Sequence, residues 1–126
     1  MGRPPLNVVK AQSEDSWVVA SAQFRLPGHA LGAPIPPGAC FIGIRPHSIS
    51  LHEKPGHIAI DGQVELSEVV GSESEIHLEH QGHTLVIQVS GIHRPAMGSA
   101  LTAWIDPESC HCFAATGELV AAAKRA

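Results

Sequence analysis

Glu75-Ile76-His77-Leu78-Glu79-His80-Gln81-Gly82-His83-Thr84-Leu85-Val86-Ile87-Gln88-Val89-Ser90 is the stretch that decides the fold. In its second half, Leu85, Ile87 and Val89 alternate with Thr84, Val86, Gln88 and Ser90. That period of two is the period of a strand with one buried face. The first half is a second run, and His80-Gln81-Gly82-His83 joins the two as a tight hairpin.

The same period extends outward from this hairpin. Over Trp17–Leu26, residues Val18, Ala20, Ala22, Phe24 and Leu26 fall on one face, and Ser21, Gln23 and Arg25 on the other. Over Ala100–Ile105, Leu101, Ala103 and Ile105 face one way and Trp104 the other. Further strands are expected at 6–12, 39–45, 57–70 (long and bent), 75–79 and 110–114. Asp61-Gly62 and Gly98-Ser99 read as turns, and Gly28–Gly38, with three Pro and three Gly, as a loop. Helix is minor: one turn at Pro46–Ser50 and a frayed C-terminal helix over Leu119–Arg125. Eight or nine short strands with this punctuation predict an all-β fold. The expected architecture is a small Greek-key barrel of the oligonucleotide-binding type, in one lobe or two. That fold describes a shape and assigns no ligand.

The 126 residues suit a single domain spanning 1–126. Apolar residues make up 44% and charged residues 16%, which is the composition of a packed globule. The net charge is −4 with only 8 Lys and Arg, and no basic stripe is present. Nucleic-acid partners are therefore not expected, because replacing phosphate counterions needs clustered cations. No apolar run approaches the ~20 residues that span a bilayer, and the N-terminus lacks the apolar core of a signal peptide. Three cysteines, Cys40, Cys110 and Cys112, do not form a secreted disulfide framework, so a reducing cytoplasm is expected.

Catalytic motifs are missing. The lysines, Lys10, Lys54 and Lys124, follow no phosphate-gripping loop, and there is no Gly-x-Ser-x-Gly elbow. No catalytic residue, cofactor or metal is assigned. His77, His80 and His83 form the nearest metal constellation, but on a strand His77 and His80 point to opposite faces. Cys110-His111-Cys112 has the wrong cysteine spacing for zinc and no second pair. Glu73, Glu75 and Glu79 read as the polar face of a strand.

Five segments, taken in order, resemble one family. Gly2-Arg3-Pro4-Pro5-Leu6-Asn7 resembles a Gly-x-Pro-x-x-Asn opening. Gly43-Ile44-Arg45-Pro46-His47 resembles Gly-x-Arg-Pro-Glu. Val64, Val69, Gly71-Ser72-Glu73 and His77 resemble a valine-rich strand followed by Leu-Gly-Ser-Glu. Gly98 with Leu101, Ala103 and Ile105 resembles Gly-x-x-Val-x-Leu. Asp106-Pro107, His111, Phe113 and Thr116-Gly117 resemble a closing Asp-Pro-x-x-x-His-x-Phe-Asp-x-x-Thr-Gly. The family is the C-terminal accessory (transport-associated, TOBE-type) domain of the ATP-binding proteins of sugar and glycerol-phosphate ABC importers. His47 and Ala114 stand where the family carries acidic residues.

The resemblance implies a non-catalytic regulatory domain that stabilises a homodimer of ATP-binding subunits. Its implied partners are the ATPase domain of the same parent chain, the transporter's membrane subunits and a regulatory protein. Its implied place is the cytoplasmic face of the membrane. ATP and magnesium would bind the ATPase domain, which is absent here, so the chain is expected to be a C-terminal fragment of a longer protein. Read physically, Pro46 and Pro107 stop strands, and Pro46 holds Arg45 extended, free to reach a carboxylate. Gly117 suits a positive φ. Trp104 is a candidate anchor for a two-fold contact or a buried residue of a second lobe. An oxyanion sensor is the alternative, with Gly71-Ser72 as its nest of amides. Single-strand nucleic-acid binding is a third reading, disfavoured by the acidic charge and scarce aromatics.

Overall fold

A computed structural model describes residues 5–125. Eleven strands form two sheets. The strands are β1 (Asn7–Glu14), β2 (Trp17–Val19), β3 (Arg25–Pro27), β4 (Gly38–Ile44), β5 (Ile49–Ser50), β6 (Ile58–Val70), β7 (Glu73–His80), β8 (His83–Ser90), β9 (Ala100–Ile105), β10 (His111–Ala114) and β11 (Leu119–Ala121). One sheet has the order β11-β10-β4-β1-β2-β3 and the other β5-β9-β6-β7-β8. Every pairing within them is antiparallel. Three single 3-10 turns, at Gly28–Ala30, Pro46–Ser48 and Pro107–Ser109, are the helical content. The all-β, oligonucleotide-binding-like barrel read from the sequence is the fold observed.

The alternation becomes burial directly. β1 reads buried-exposed over its whole length, and β7 reads half-buried-buried. Their inward residues meet between the sheets: Val9, Ile42 and Ile44 from the first, Ile60, Ile76, Leu78, Leu85, Ile87 and Ile105 from the second. Gln81 and Gly82, at φ +49 and +83, make the tight hairpin expected between β7 and β8. The 13-residue β6 has its register irregularity between Val64 and Leu66. A bulge of this kind bends a strand, and β6 passes from β9 on one side to a long pairing with β7 on the other.

Three expectations are corrected. The Trp17–Leu26 run is two strands, because residues 20–24 form a turn closed by Ala20 N donating to Phe24 O at 2.9 Å. Val18 and Leu26 keep their inward face, but Ala22 is exposed. Asp61-Gly62 is no turn. It lies inside β6, where a Cβ on Gly62 would fall on the Glu79 carbonyl and 2.8 Å from Leu78 Cγ. The glycine serves close strand approach. The expected C-terminal helix is instead β11, whose Leu119–Ala121 pairs with β10.

Polar side chains tie the two sheets. Asn7, only 6% exposed, lets its Nδ2 donate to Val86 O at 2.9 Å and its Oδ1 accept from Val86 N at 2.8 Å. Its side chain thereby acts as a residue of strand for β8. At the opposite end, the 20–24 turn is held to the second sheet. Gln23 Nε2 donates to Asp61 Oδ2 at 2.7 Å, and Asp61 N donates to Gln23 Oε1 at 3.0 Å.

Candidate functional site

β4 is the strand about which the motifs gather. Its inward residues Cys40, Ile42 and Ile44 are core, so Phe41 and Gly43 look outward. Register places Val8 and His111 on either side of Gly43, and Lys10 and Phe113 on either side of Phe41. Leu119 pairs with Phe113 one strand further out. An outer face with Val8, Phe41, Phe113 and Leu119 results. Val8 is 55% exposed and Leu119 56%. Val8, Phe41, Phe113 and Gly117 line a shallow hollow of about 310 Å³.

Gly43 explains how Phe113 lies down on this face. A Cβ at Gly43 would sit 2.6 Å from Phe113 Cε2 and 2.9 Å from Leu6 Cδ2. Only a residue without a side chain leaves room for both. The family-like Gly43 and Phe113 are thus one packing unit, although 70 positions separate them. Of the opening motif, Gly2, Arg3 and Pro4 lie outside the described residues, and Pro5, Leu6 and Asn7 lie within them.

His111 borders the patch, its ring centroid 6.4 Å from that of Phe113. Its Nδ1 accepts from Ala123 N at 3.0 Å, so the ring pins the chain that follows β11. Burial, and then the charge of Arg45, holds the His111 pKa below the ordinary histidine value. The neutral ring is the form that can accept at Nδ1. Gly117, at φ +96, turns β10 into β11, with its N–H donating to Ala114 O at 2.8 Å.

The remaining motif residues fall elsewhere. Arg45 is exposed at the end of β4, and among the described residues no carboxylate pairs with it. Pro46 is buried at the start of its 3-10 turn. Gly71 and Ser72 are the exposed two-residue turn between β6 and β7, and Ser72 O accepts from Gly91 N at 2.8 Å. Trp104 is half-buried in β9, across from Ala59 and Ser50. Asp106 caps the turn carrying Pro107 by accepting from Glu108 N at 3.0 Å. Its other oxygen meets Arg125 Nε at 2.6 Å, and Arg125 Nη2 meets Glu108 Oε1 at 2.7 Å. Burial would raise the Asp106 pKa. The Glu108 N–H and Arg125 outweigh it and lower the pKa.

Among the described residues, no three His, Cys, Asp or Glu side chains are placed to hold a metal ion. His80 is buried, its Nδ1 2.6 Å from Asp61 O and its Nε2 2.7 Å from Ser21 Oγ. His77 faces the other side of β7, and His83 pairs with His80 across the hairpin. All three cysteines are free thiols in the core. Burial raises each thiol pKa, that of Cys112 to about 12. Such thiols are poor nucleophiles. The bonds of Asn7 to Val86 and the outward apolar face are what residue-by-residue reading missed. The alternation of β1 was visible, but which strands flank it was not.

The described residues form a small β-barrel with an apolar outer face, the shape of an accessory β-module. The chain belongs to the TOBE domain family, whose model matches residues 42–113. It is 31% identical over 124 residues to the sn-glycerol-3-phosphate import ATP-binding protein UgpC 3 of Agrobacterium fabrum, covering 95% of this chain and 34% of that protein. It is 29% identical over 122 residues to UgpC of Salmonella typhimurium, covering 90% of this chain and 32% of that protein. The chain thus spans about a third of the length of these relatives. The cytoplasmic molybdate-binding protein ModG, in a crystal form with molybdate bound, shares the fold. Its TM-score is 0.63 at 14% identity, over 86% of this chain and 95% of that one. No helix among the described residues is long and apolar enough to cross a membrane.

Proposed function

We propose that this chain is the accessory domain of the ATP-binding subunit of an ABC importer for sugars, glycerol phosphate or related solutes. Its work is assembly and regulation, not chemistry. ATP and magnesium belong to an ATPase domain of the same parent protein, which meets the membrane subunits at the cytoplasmic face of the membrane. The accessory domain holds two such subunits together and offers a surface to a regulatory protein.

The outer face of β1, β4, β10 and β11 is the observation that carries this reading. It presents Val8, Phe41, Phe113 and Leu119, and two of the family-like motifs, those of Gly43 and Phe113, build it. Aromatic and aliphatic residues in a shallow hollow suit the centre of a protein contact. The occupant is a second copy of the same domain. A two-fold contact reuses one patch on both partners, so an apolar face without a dominant charge is self-complementary.

Sedimentation velocity over a concentration series tests this. The wild-type chain associates to a dimer, and Val8→Asp, which places a charge on an already exposed position, shifts it to monomer. A wild-type chain that stays monomeric throughout, or a variant that associates equally well, counts against this face as the contact.

A further inference from the structure

Four of the nine histidines, three within residues 47–57 and the fourth at position 93, surround one groove. It has a volume of about 340 Å³, and Ile49, Leu51 and Val89 supply apolar lining. Small-molecule sites span roughly 300–1,000 Å³, so it has room for a small anion with a short organic tail. His47, His52, Lys54, His57 and His93 edge it, and Glu73 is the one carboxylate among its lining residues. Glu73 is already engaged, accepting from Gln88 Nε2 at 2.6 Å. On a chain of net charge −4, this is a local reversal of sign.

One further observation points to a ligand. His57 Nδ1 is buried and has no hydrogen-bond partner among the described residues. Buried polar atoms are nearly always paired, and one that is not calls for a partner. The His52 loop is also held in place: Ser50 Oγ donates to His52 O and accepts from His52 N, each at 3.0 Å. His93 is fixed likewise, with its Nε2 donating to Ser90 O at 3.0 Å.

The basic groups ring the groove without converging. Among the described residues, no three His, Cys, Asp or Glu side chains could share a metal ion. A dispersed set of N–H donors suits a polyatomic anion with several acceptor oxygens. The geometry points to a binding site in this groove for a phosphoryl dianion, carried either by free phosphate or by a small phosphate monoester. Each oxygen can take a different donor, and the His57 ring, whose buried Nδ1 lacks a partner, can meet one by turning towards the groove. The apolar lining accommodates the organic part of an ester.

Histidines gain charge as the pH falls through the range just below neutrality, so affinity rises on mild acidification. Glu73 from β7 opposes the anion, and Asp106 lines a neighbouring hollow on the other side of His57.

Isothermal titration calorimetry at low salt, with the monomeric Val8→Asp variant run beside the wild type, tests the site separately from dimerisation. Inorganic phosphate and sn-glycerol 3-phosphate are titrated in separate arms. At least one binds with a single-site isotherm, tighter at about pH 6 than at about pH 8. Tighter phosphate identifies the free ion as the ligand, and tighter ester identifies the monoester. His52→Gln with Lys54→Gln, both exposed positions, weakens binding about tenfold or more. Lys10→Gln on the other sheet leaves it unchanged. In a parallel nuclear magnetic resonance titration, the His57 ring nitrogens shift with the same affinity. The proposal is overturned if neither ligand binds by about 10 mM. It is equally overturned if the His52/Lys54 variant binds like the wild type, or if the His57 ring does not respond.

Discussion

Asn7→Ala is expected to destabilise the domain by more than its small loss of packing would suggest. The side chain is 6% exposed and serves both the N–H and the C=O of Val86, at 2.8 and 2.9 Å. Truncation leaves both backbone groups without that partner. An unsatisfied buried group costs about 1–3 kcal/mol. Val86 is half-buried, so water recovers part of this, and a total of about 2 kcal/mol is expected. For a chain of this size that lowers Tm by roughly 8 °C. Urea unfolding followed by tryptophan fluorescence gives the free energy, and calorimetry gives Tm. Asn7→Asp sharpens the test. Its ionised carboxylate still accepts from Val86 N but sets a second oxygen against Val86 O. Its deficit relative to wild type is therefore large at neutral pH. It narrows near about pH 4, where a protonated carboxyl can donate to that carbonyl. The reasoning is refuted if Asn7→Ala lies within about 0.5 kcal/mol of wild type, the range of an ordinary surface substitution.

The other predictions concern the C-terminal strap and the core. His111 has a lowered pKa in the folded state, so the unfolded chain binds more protons just below the ordinary histidine pKa of ~6.5. Stability is full above that pH and declines as the pH falls through it towards the lower folded value. His111→Asn retains an acceptor without titrating, and its urea midpoint should fall less between neutral and mildly acidic pH; equal slopes would contradict this. Arg125→Ala should cost only about 0.5–1 kcal/mol in urea unfolding, because its side chain is 62% exposed and screened. Asp106→Ala should cost more, about 1–2 kcal/mol, because it also uncaps Glu108 N. Cys40, Cys110 and Cys112 should resist a thiol reagent at neutral pH in the folded chain, and all three should react in denaturant.

Period-two alternation in β7, β8 and β9 was legible because those strands bury one clean face each. Where the chain turned without glycine or proline, at Ala20–Phe24, the alternation ran on through the turn and hid it. Asp61-Gly62 misled for the opposite reason: its glycine answers to the neighbouring strand's backbone, and hairpin chemistry is not involved. Leu119–Ala121 carries no strand signal of its own. It is a strand because β10 offers an edge and His111 Nδ1 secures the chain beyond it. The motifs around Gly43 and Phe113 were visible as separate pieces. That they make one packing unit depends on β4 and β10 being neighbours, which no local pattern states. The groove was hidden for a related reason: His47, His52, Lys54 and His57 are neighbours in sequence, but nothing local shows that His93, Glu73 and Val89 close the far side.

The central claim is that this domain serves an importer's ATP-binding subunit without chemistry of its own. A chimera tests it most directly. In the Salmonella typhimurium UgpC, the third of the protein that matches this chain is replaced by residues 1–126, and sn-glycerol 3-phosphate uptake is measured in cells lacking their own UgpC. The account predicts uptake well above that of the same protein truncated before the replaced segment, and a loss of the gain when the segment carries Val8→Asp. A chimera that accumulates as a soluble, folded protein yet transports no better than the truncated form would contradict it.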